Sequence, residues 1–156
     1  MKSAKVIIIG AGPVGTFAAY CLAEYGIETL VLESESTCET DMRASTFHPS
    51  TLKYLDNLNL ADELIEKGLK APIFQYRIRS TDEVLEFNLQ ELDDVLDFPF
   101  RLQCEQYKFA RMLAGKLDRH RHSSVLFNRK LINFSEGNNK VTLDVDHHGT
   151  NEQYQC

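Results

Sequence analysis

Three glycines and one glutamate have the residue types and spacing to hold a nucleotide pyrophosphate. Gly10, Gly12 and Gly15 form G-x-G-x-x-G directly after Val6-Ile7-Ile8-Ile9. Each has a separate duty: Gly10 permits a sharp turn, Gly12 lets a pyrophosphate approach the backbone, and Gly15 lets helix and strand pack closely. Pro13 and Val14 open the helix, whose N-terminal N–H groups and positive dipole end suit a phosphate. Glu33 stands eighteen residues after Gly15, at the end of a second apolar run, Glu28 to Leu32. A carboxylate there can accept hydrogen bonds from both hydroxyls of an adenosine ribose and would repel a 2′-phosphate. A glycine turn in some other strand–helix–strand unit explains the glycines but leaves Glu33 accidental.

These groups need a scaffold, and the surrounding pattern supplies one. Val6–Ile9 is a continuous β-branched run, the mark of a strand buried on both faces of a parallel sheet. A helix is expected from Pro13 to Tyr25, with Ala19 keeping its face small and Gly26 closing it. The polar stretch Ser34 to Arg43 is expected as a loop. Arg43 is either a surface arginine paired with Glu39 or Asp41, or a contact to a phosphate or flavin edge. Leu52, Leu55 and Leu58 recur at helical spacing, and a short helix from Leu60 to Lys67 ends at Gly68. His48, beside Pro49, suits a helix cap or the surface better than catalysis.

The period then changes. Phe74–Ser80 and Val84–Leu89 alternate apolar and polar around Thr81-Asp82-Glu83, which predicts an antiparallel hairpin outside the parallel sheet. Seven acids and no base lie between Asp82 and Asp97, a solvated stretch without a calcium-loop pattern. An amphipathic helix is expected over Gln106–Arg119, with Phe109, Met112, Leu113 and Leu117 on one face. Its basic end, Lys116 to His122, complements a helix C-terminus and requires no metal at His120 and His122. A short parallel strand at Ser124–Phe127 precedes a meander: Leu131–Ser135, Val141–Asp146 around Glu136-Gly137-Asn138-Asn139, then Glu152–Cys156 after a turn at His147-His148-Gly149.

The totals exclude several classes. With 156 residues the chain makes one ordinary domain, burying roughly 70% of its unfolded surface. A net charge of −6 argues against a nucleic-acid or membrane-surface role. The opening residues lead straight into a strand too short for a secretory h-region. No apolar run approaches the ~20 residues of a membrane span. Cys21, Cys38, Cys104 and Cys156 have neither paired nor metal spacing and are expected as reduced thiols in the cytoplasm, Cys21 in the core.

Three landmarks together resemble the FAD-dependent aromatic hydroxylases, the p-hydroxybenzoate hydroxylase-like and phenol hydroxylase-like class A flavoprotein monooxygenases. They are Gly10-Ala11-Gly12-Pro13-Val14-Gly15 with Ala19 and Glu33; Arg43-Ala44-Ser45-Thr46-Phe47-His48-Pro49-Ser50-Thr51-Leu52 with the leucine pairs and Gly68 beyond; and Gln106 followed by Met112-Leu113 and Leu117. The resemblance implies an α/β fold: a Rossmann-like parallel βαβ FAD-binding sheet with an antiparallel hairpin insertion and a β-meander. It implies an N-terminal FAD-binding domain fragment over 1–156, with about 73–103 starting the substrate-domain insertion. It also implies FAD held by Gly10, Gly12, Pro13, Val14, Gly15, Glu33, Ser34, Arg43, Ala44 and Gln106, with Gln103 a competitor for the last role. NADH or NADPH is then the co-substrate, and O2 reacts through a flavin C4a-hydroperoxide to hydroxylate a small aromatic or phenolic substrate.

The family's later Asp-Gly and Gly-Asp motifs are not present, so the chain is expected to be the first part of a longer enzyme or a truncated gene product, and inactive alone. No catalytic acid or base is nominated. Two rivals remain: another FAD- or NAD-dependent oxidoreductase, and a non-catalytic nucleotide-binding module. Unpaired sheet edges would favour self-association into a homo-oligomer.

Overall fold

The structure is a computed structural model describing residues 2–40 and 44–156. Its elements, in chain order, are β1 (Lys2–Ser3), β2 (Val6–Ile9), α1 (Pro13–Glu24), β3 (Thr29–Leu32), β4 (Thr46–Phe47), α2 (Pro49–Asp56), α3 (Ala61–Ile65), β5 (Leu69–Ala71), β6 (Ile73–Ile78), β7 (Glu83–Asn88), β8 (Arg101–Gln103), α4 (Gln106–Leu117), β9 (Ser123–Leu126), β10 (Lys130–Gly137), β11 (Lys140–His147) and β12 (Thr150–Gln155). The fold is α/β, with parallel and antiparallel sheets, as the sequence pattern implies. No helix among the described residues is long and apolar enough to cross a membrane. The chain divides into two compact units, residues 1–41 with 109–156, and residues 42–108.

The first unit is layered. Its parallel sheet has the order β2-β3-β9, and β3 is buried along its whole length. Successive side chains of a strand point to opposite faces, so β3 feeds two cores. Val31 joins Ala19 and Ala23 of α1, and Ala110, Ala114 and Leu117 of α4, on one face. The alanines let the helices approach closely. Leu30 and Leu32 meet Leu143, Val145 and Tyr154 on the other. Those three belong to an antiparallel meander, β12-β11-β10, with β1 added in parallel beyond β12. Asn138 (φ 54°) and Asn139 (φ 58°) make one tight hairpin turn, and His148 (φ 52°) and Gly149 (φ 82°) the other. Paired positive φ values match the right-handed twist of the flanking strands.

The second unit carries a small sheet of order β4-β8-β5 and the separate hairpin β6-β7. Leu52 and Leu55 of α2 and Leu64 of α3 are buried at helical spacing. In the hairpin, Phe74 stacks on Phe87 with ring centroids 5.0 Å apart, and the Arg101 guanidinium lies 4.4 Å from the Phe74 centroid.

Several expected boundaries move. The hairpin turn occupies residues 79–82, with Asp82 at φ 57°, and Glu83 already lies in β7. The meander strands run further than their apolar alternation does, because hydrogen bonding continues through Glu136–Val141 and Gly137–Lys140. His48 occupies the N-cap position of α2, yet its side chain makes no capping bond; Pro49 follows it in the first turn. Cys21 is half-buried rather than in the core. β1, β4, β5 and β8 have two or three residues each and no periodic signature.

Candidate functional site

The glycine turn begins where β2 ends. Gly10 has φ 102°, a conformation that a side chain would strain. Its N–H donates to the Leu32 carbonyl at 2.8 Å, stitching the turn to the end of β3. A Cβ on Gly15 would lie 2.1 Å from the Gly10 carbonyl oxygen, so the third glycine is required by contact between helix and turn. A Cβ on Gly12 would meet nothing within 4 Å, which leaves the backbone there open to approach. Gly12 is the N-cap of α1 and Pro13 opens the first turn. The Thr16 N–H and hydroxyl both donate to the Gly12 carbonyl, at 3.0 and 2.9 Å. The first N–H groups of any helix lack intrahelical acceptors and point outward from its end. Val14, in that turn, is 82% exposed.

Glu33 closes the same site. Its Oε2 accepts the Ala11 N–H at 2.6 Å, while Oε1 accepts the Ser34 hydroxyl and the Glu35 N–H, each at 3.0 Å. Partial burial works against the charge, but the backbone N–H groups of Glu35 and Ala11, with Ser34, hold the carboxyl below its ordinary pKa. The site therefore presents an ionised carboxylate at the strand tip beside an anion-receptive helix end. Gly10, Gly12, Pro13, Val14, Gly15, Glu33 and Ser34 are all gathered within the first unit.

Ala44 and Gln106 belong to the second unit, where the Gln106 N–H donates to the Ala44 carbonyl at 3.2 Å. Gln106 is the first residue of α4. Gln103 is engaged: its Oε1 accepts the Thr46 hydroxyl at 3.0 Å, across paired residues of β4 and β8. Gly68 is held in the same neighbourhood, since a Cβ there would come within 2.8 Å of Cys104 and the Gln103 carbonyl. Arg43 lies outside the described residues.

Sequence reasoning passed over Arg129. Its N–H donates to the Glu33 carbonyl at 2.7 Å, and its guanidinium meets Glu152 at 3.0 Å and the Tyr154 hydroxyl at 3.2 Å. The available signals were faint: an Asn-Arg pair after an apolar strand, and a Glu and a Tyr two apart on β12.

A sequence profile described as an FAD binding domain matches residues 3–156. The 6-hydroxy-3-succinoylpyridine 3-monooxygenase of Pseudomonas putida is 31% identical over 139 residues, covering 89% of this chain and 35% of that protein. The para-nitrophenol 4-monooxygenase of a Pseudomonas species is 24% identical over 144 residues, covering 92% of this chain and 36% of that protein. Among solved structures, p-nitrophenol 4-monooxygenase from Pseudomonas putida superposes with a TM-score of 0.90 at 25% identity, over 99% of this chain and 40% of that one. The chain thus spans a little over a third of the length of these relatives.

Proposed function

The chain belongs to the FAD-binding-domain family, and from that premise we propose that it is the FAD-binding portion of an NAD(P)H-dependent monooxygenase acting on a small aromatic compound. The observation that carries the cofactor reading is the Glu33 carboxylate, already oriented by Ala11 and Glu35 beside the open glycine turn. The residues fit a dinucleotide: a backbone surface at Gly12 without a side chain, a helix N-terminus, and an anionic acceptor, Glu33, held beside the turn by the Ala11 N–H. Gly10, Gly12, Pro13, Val14 and Gly15 would hold the pyrophosphate, and Glu33 and Ser34 the adenosine ribose. Arg43, Ala44 and Gln106 would serve the rest of the cofactor. The leucine spacing that follows Gln106 favours it over Gln103, whose side-chain carbonyl already accepts the Thr46 hydroxyl.

When bound, FAD supplies hydride acceptance and oxygen activation, with NADH or NADPH as reductant and O2 as co-substrate. The chain's own contribution is binding and orientation. The aromatic substrate class follows the names of the relatives. Residues 73–103 are assigned to the start of a substrate-domain insertion, supported by the separate sheet β6-β7 and its aromatic cluster. Four free cysteines accord with a reducing cytoplasm.

The test is a titration of the chain with FAD, followed by flavin fluorescence, with NAD as competitor and Glu33→Ala as control. Saturable binding that NAD fails to displace and that Glu33→Ala weakens about ten- to hundredfold supports the proposal; a carboxylate hydrogen bond of this kind contributes about 1.5–3 kcal/mol. Preference for NAD over FAD would overturn it and promote a dehydrogenase-type enzyme.

A further inference from the structure

The carboxylate of Glu33 is only as well placed as the three residues 33–35 that carry it. Those residues are pinned to the segment following β9 by three backbone bonds. The Glu33 N–H donates to the Leu126 carbonyl at 2.9 Å, the Arg129 N–H to the Glu33 carbonyl at 2.7 Å, and the Asn128 N–H to the Glu35 carbonyl at 2.9 Å. The pinning segment turns sharply, with Asn128 at φ 54°, a left-handed conformation that its surroundings must maintain.

One side chain does the maintaining. The Arg129 side chain is 12% exposed. Its Nη1 donates to the Phe127 and Asn128 carbonyls at 3.0 and 3.4 Å, and its Nε to Glu152 and the Tyr154 hydroxyl at 3.0 and 3.2 Å. The Tyr154 hydroxyl donates to the same Glu152 oxygen, and His147 meets the other at 3.1 Å. Tyr154 is fully buried against Leu30 and Leu32 of the parallel sheet. The planar fork thus joins the turn to the meander, through Glu152 and the fully buried Tyr154 of β12. Lysine, with a single point of charge, cannot reproduce that arrangement.

We propose that Arg129 is a positioning residue: anchored by Glu152 and Tyr154, it holds the turn that fixes Glu33 in its nucleotide-ready geometry. This inference deepens the proposed FAD-binding role and rests on it only in its second test.

The first test needs no ligand. Amide hydrogen exchange is measured by NMR on wild type, Arg129→Lys and the milder Tyr154→Phe. The Ala11 and Glu35 amides, which donate to the Glu33 carboxylate, should exchange about tenfold faster in Arg129→Lys. Val31 and Val145, in the two cores, should change far less, and Tyr154→Phe should produce a smaller effect at the same two amides. Uniform acceleration throughout the unit, or none at Ala11 and Glu35, would overturn the proposal.

The second test is a double-mutant cycle on FAD affinity. Arg129→Lys should weaken binding several-fold when Glu33 is present and have no further effect in Glu33→Gln, although it lowers thermal stability equally in both. Equal affinity losses in the two backgrounds would show a merely structural role and overturn the proposal. If wild type binds no FAD, the cofactor reading fails, and amide exchange alone decides the positioning role.

Discussion

Strand β3 of the first unit, with the cores on its two faces, and the β6-β7 hairpin of the second use apolar residues in opposite ways. In the first, β3 is buried along its length, and Val31, Leu32, Val145 and Tyr154 have no measurable exposure. In the second, the β6-β7 hairpin leaves Tyr76 63% and Leu85 54% exposed, with Ile73, Ile78, Val84 and Phe87 above 40%. Polar contacts divide likewise. Arg129 and Glu152 pair with side chains 12% and 26% exposed, whereas Lys53 and Asp97 pair at 2.8 Å with 52% and 62% exposed. A surface pair of that kind, screened by solvent, contributes little to stability. Nucleotide binding requires fixed geometry, and the unit bearing the glycine turn has a packed core on each face of its parallel sheet. The hairpin is held by its strand bonds and one aromatic cluster, and tolerates change.

Three substitutions would sharpen or break this contrast. The largest effect is expected from a single added methyl in the first unit. Gly15→Ala places a Cβ against the Gly10 backbone oxygen, and should cost about 3 kcal/mol in chemical denaturation. A loss below about 1 kcal/mol would mean that the turn has slack the geometry denies it.

The next concerns acid stability. Tyr154, foremost, and Arg129 hold the Glu152 carboxyl down to about 2 from 4.5, against the opposing effect of desolvation. The unfolded chain therefore binds this proton first, so the contribution of Glu152 is fully present above about pH 4.5 and fades as pH falls toward 2. The stability gap between wild type and Glu152→Gln should be widest above that range and narrow on acidification. A gap constant with pH would remove the network from the list of features that distinguish the first unit.

The smallest effect belongs to the hairpin. Leu85→Ser removes an exposed apolar side chain and should shift stability by less than about 0.5 kcal/mol. A loss of about 2 kcal/mol would show that the hairpin is as tightly integrated as β3.

Much of this architecture was legible because its signals are periodic. The unbroken Val6–Ile9 run announces a strand of the parallel sheet, although β2 is only half-buried with Ile9 46% exposed and it is β3 that is covered on both faces; the glycine spacing with Glu33 announces the turn and its acceptor. Ala19 and the leucines of α4 mark the faces that pack. The short strands β1, β4, β5 and β8 were not legible: two or three residues complete no period, and their existence depends on partners far away in sequence. Ile132 shows the same limit. It sits where the β10-β11 register shifts, between Leu131 and Asn133, a bulge that apolar alternation does not announce. In the site, the roles of Gly10 and Gly15 follow from steric necessity. That Gln103 spends its carbonyl on Thr46 is a tertiary fact, as is the fork of Arg129.

The pairing of β1 with β12 has a consequence for how the chain acquires its fold. Lys2 lies beside Tyr154 and Ser3 beside Gln155 in parallel register. Nearly the whole chain intervenes, so this contact closes the largest loop in the molecule, and such closures carry the greatest entropic delay. During synthesis β1 must wait, unpaired, until β12 has left the ribosome. The glycine turn can form early with β3, but the four-stranded sheet behind it gains β1 only after β12 has been made.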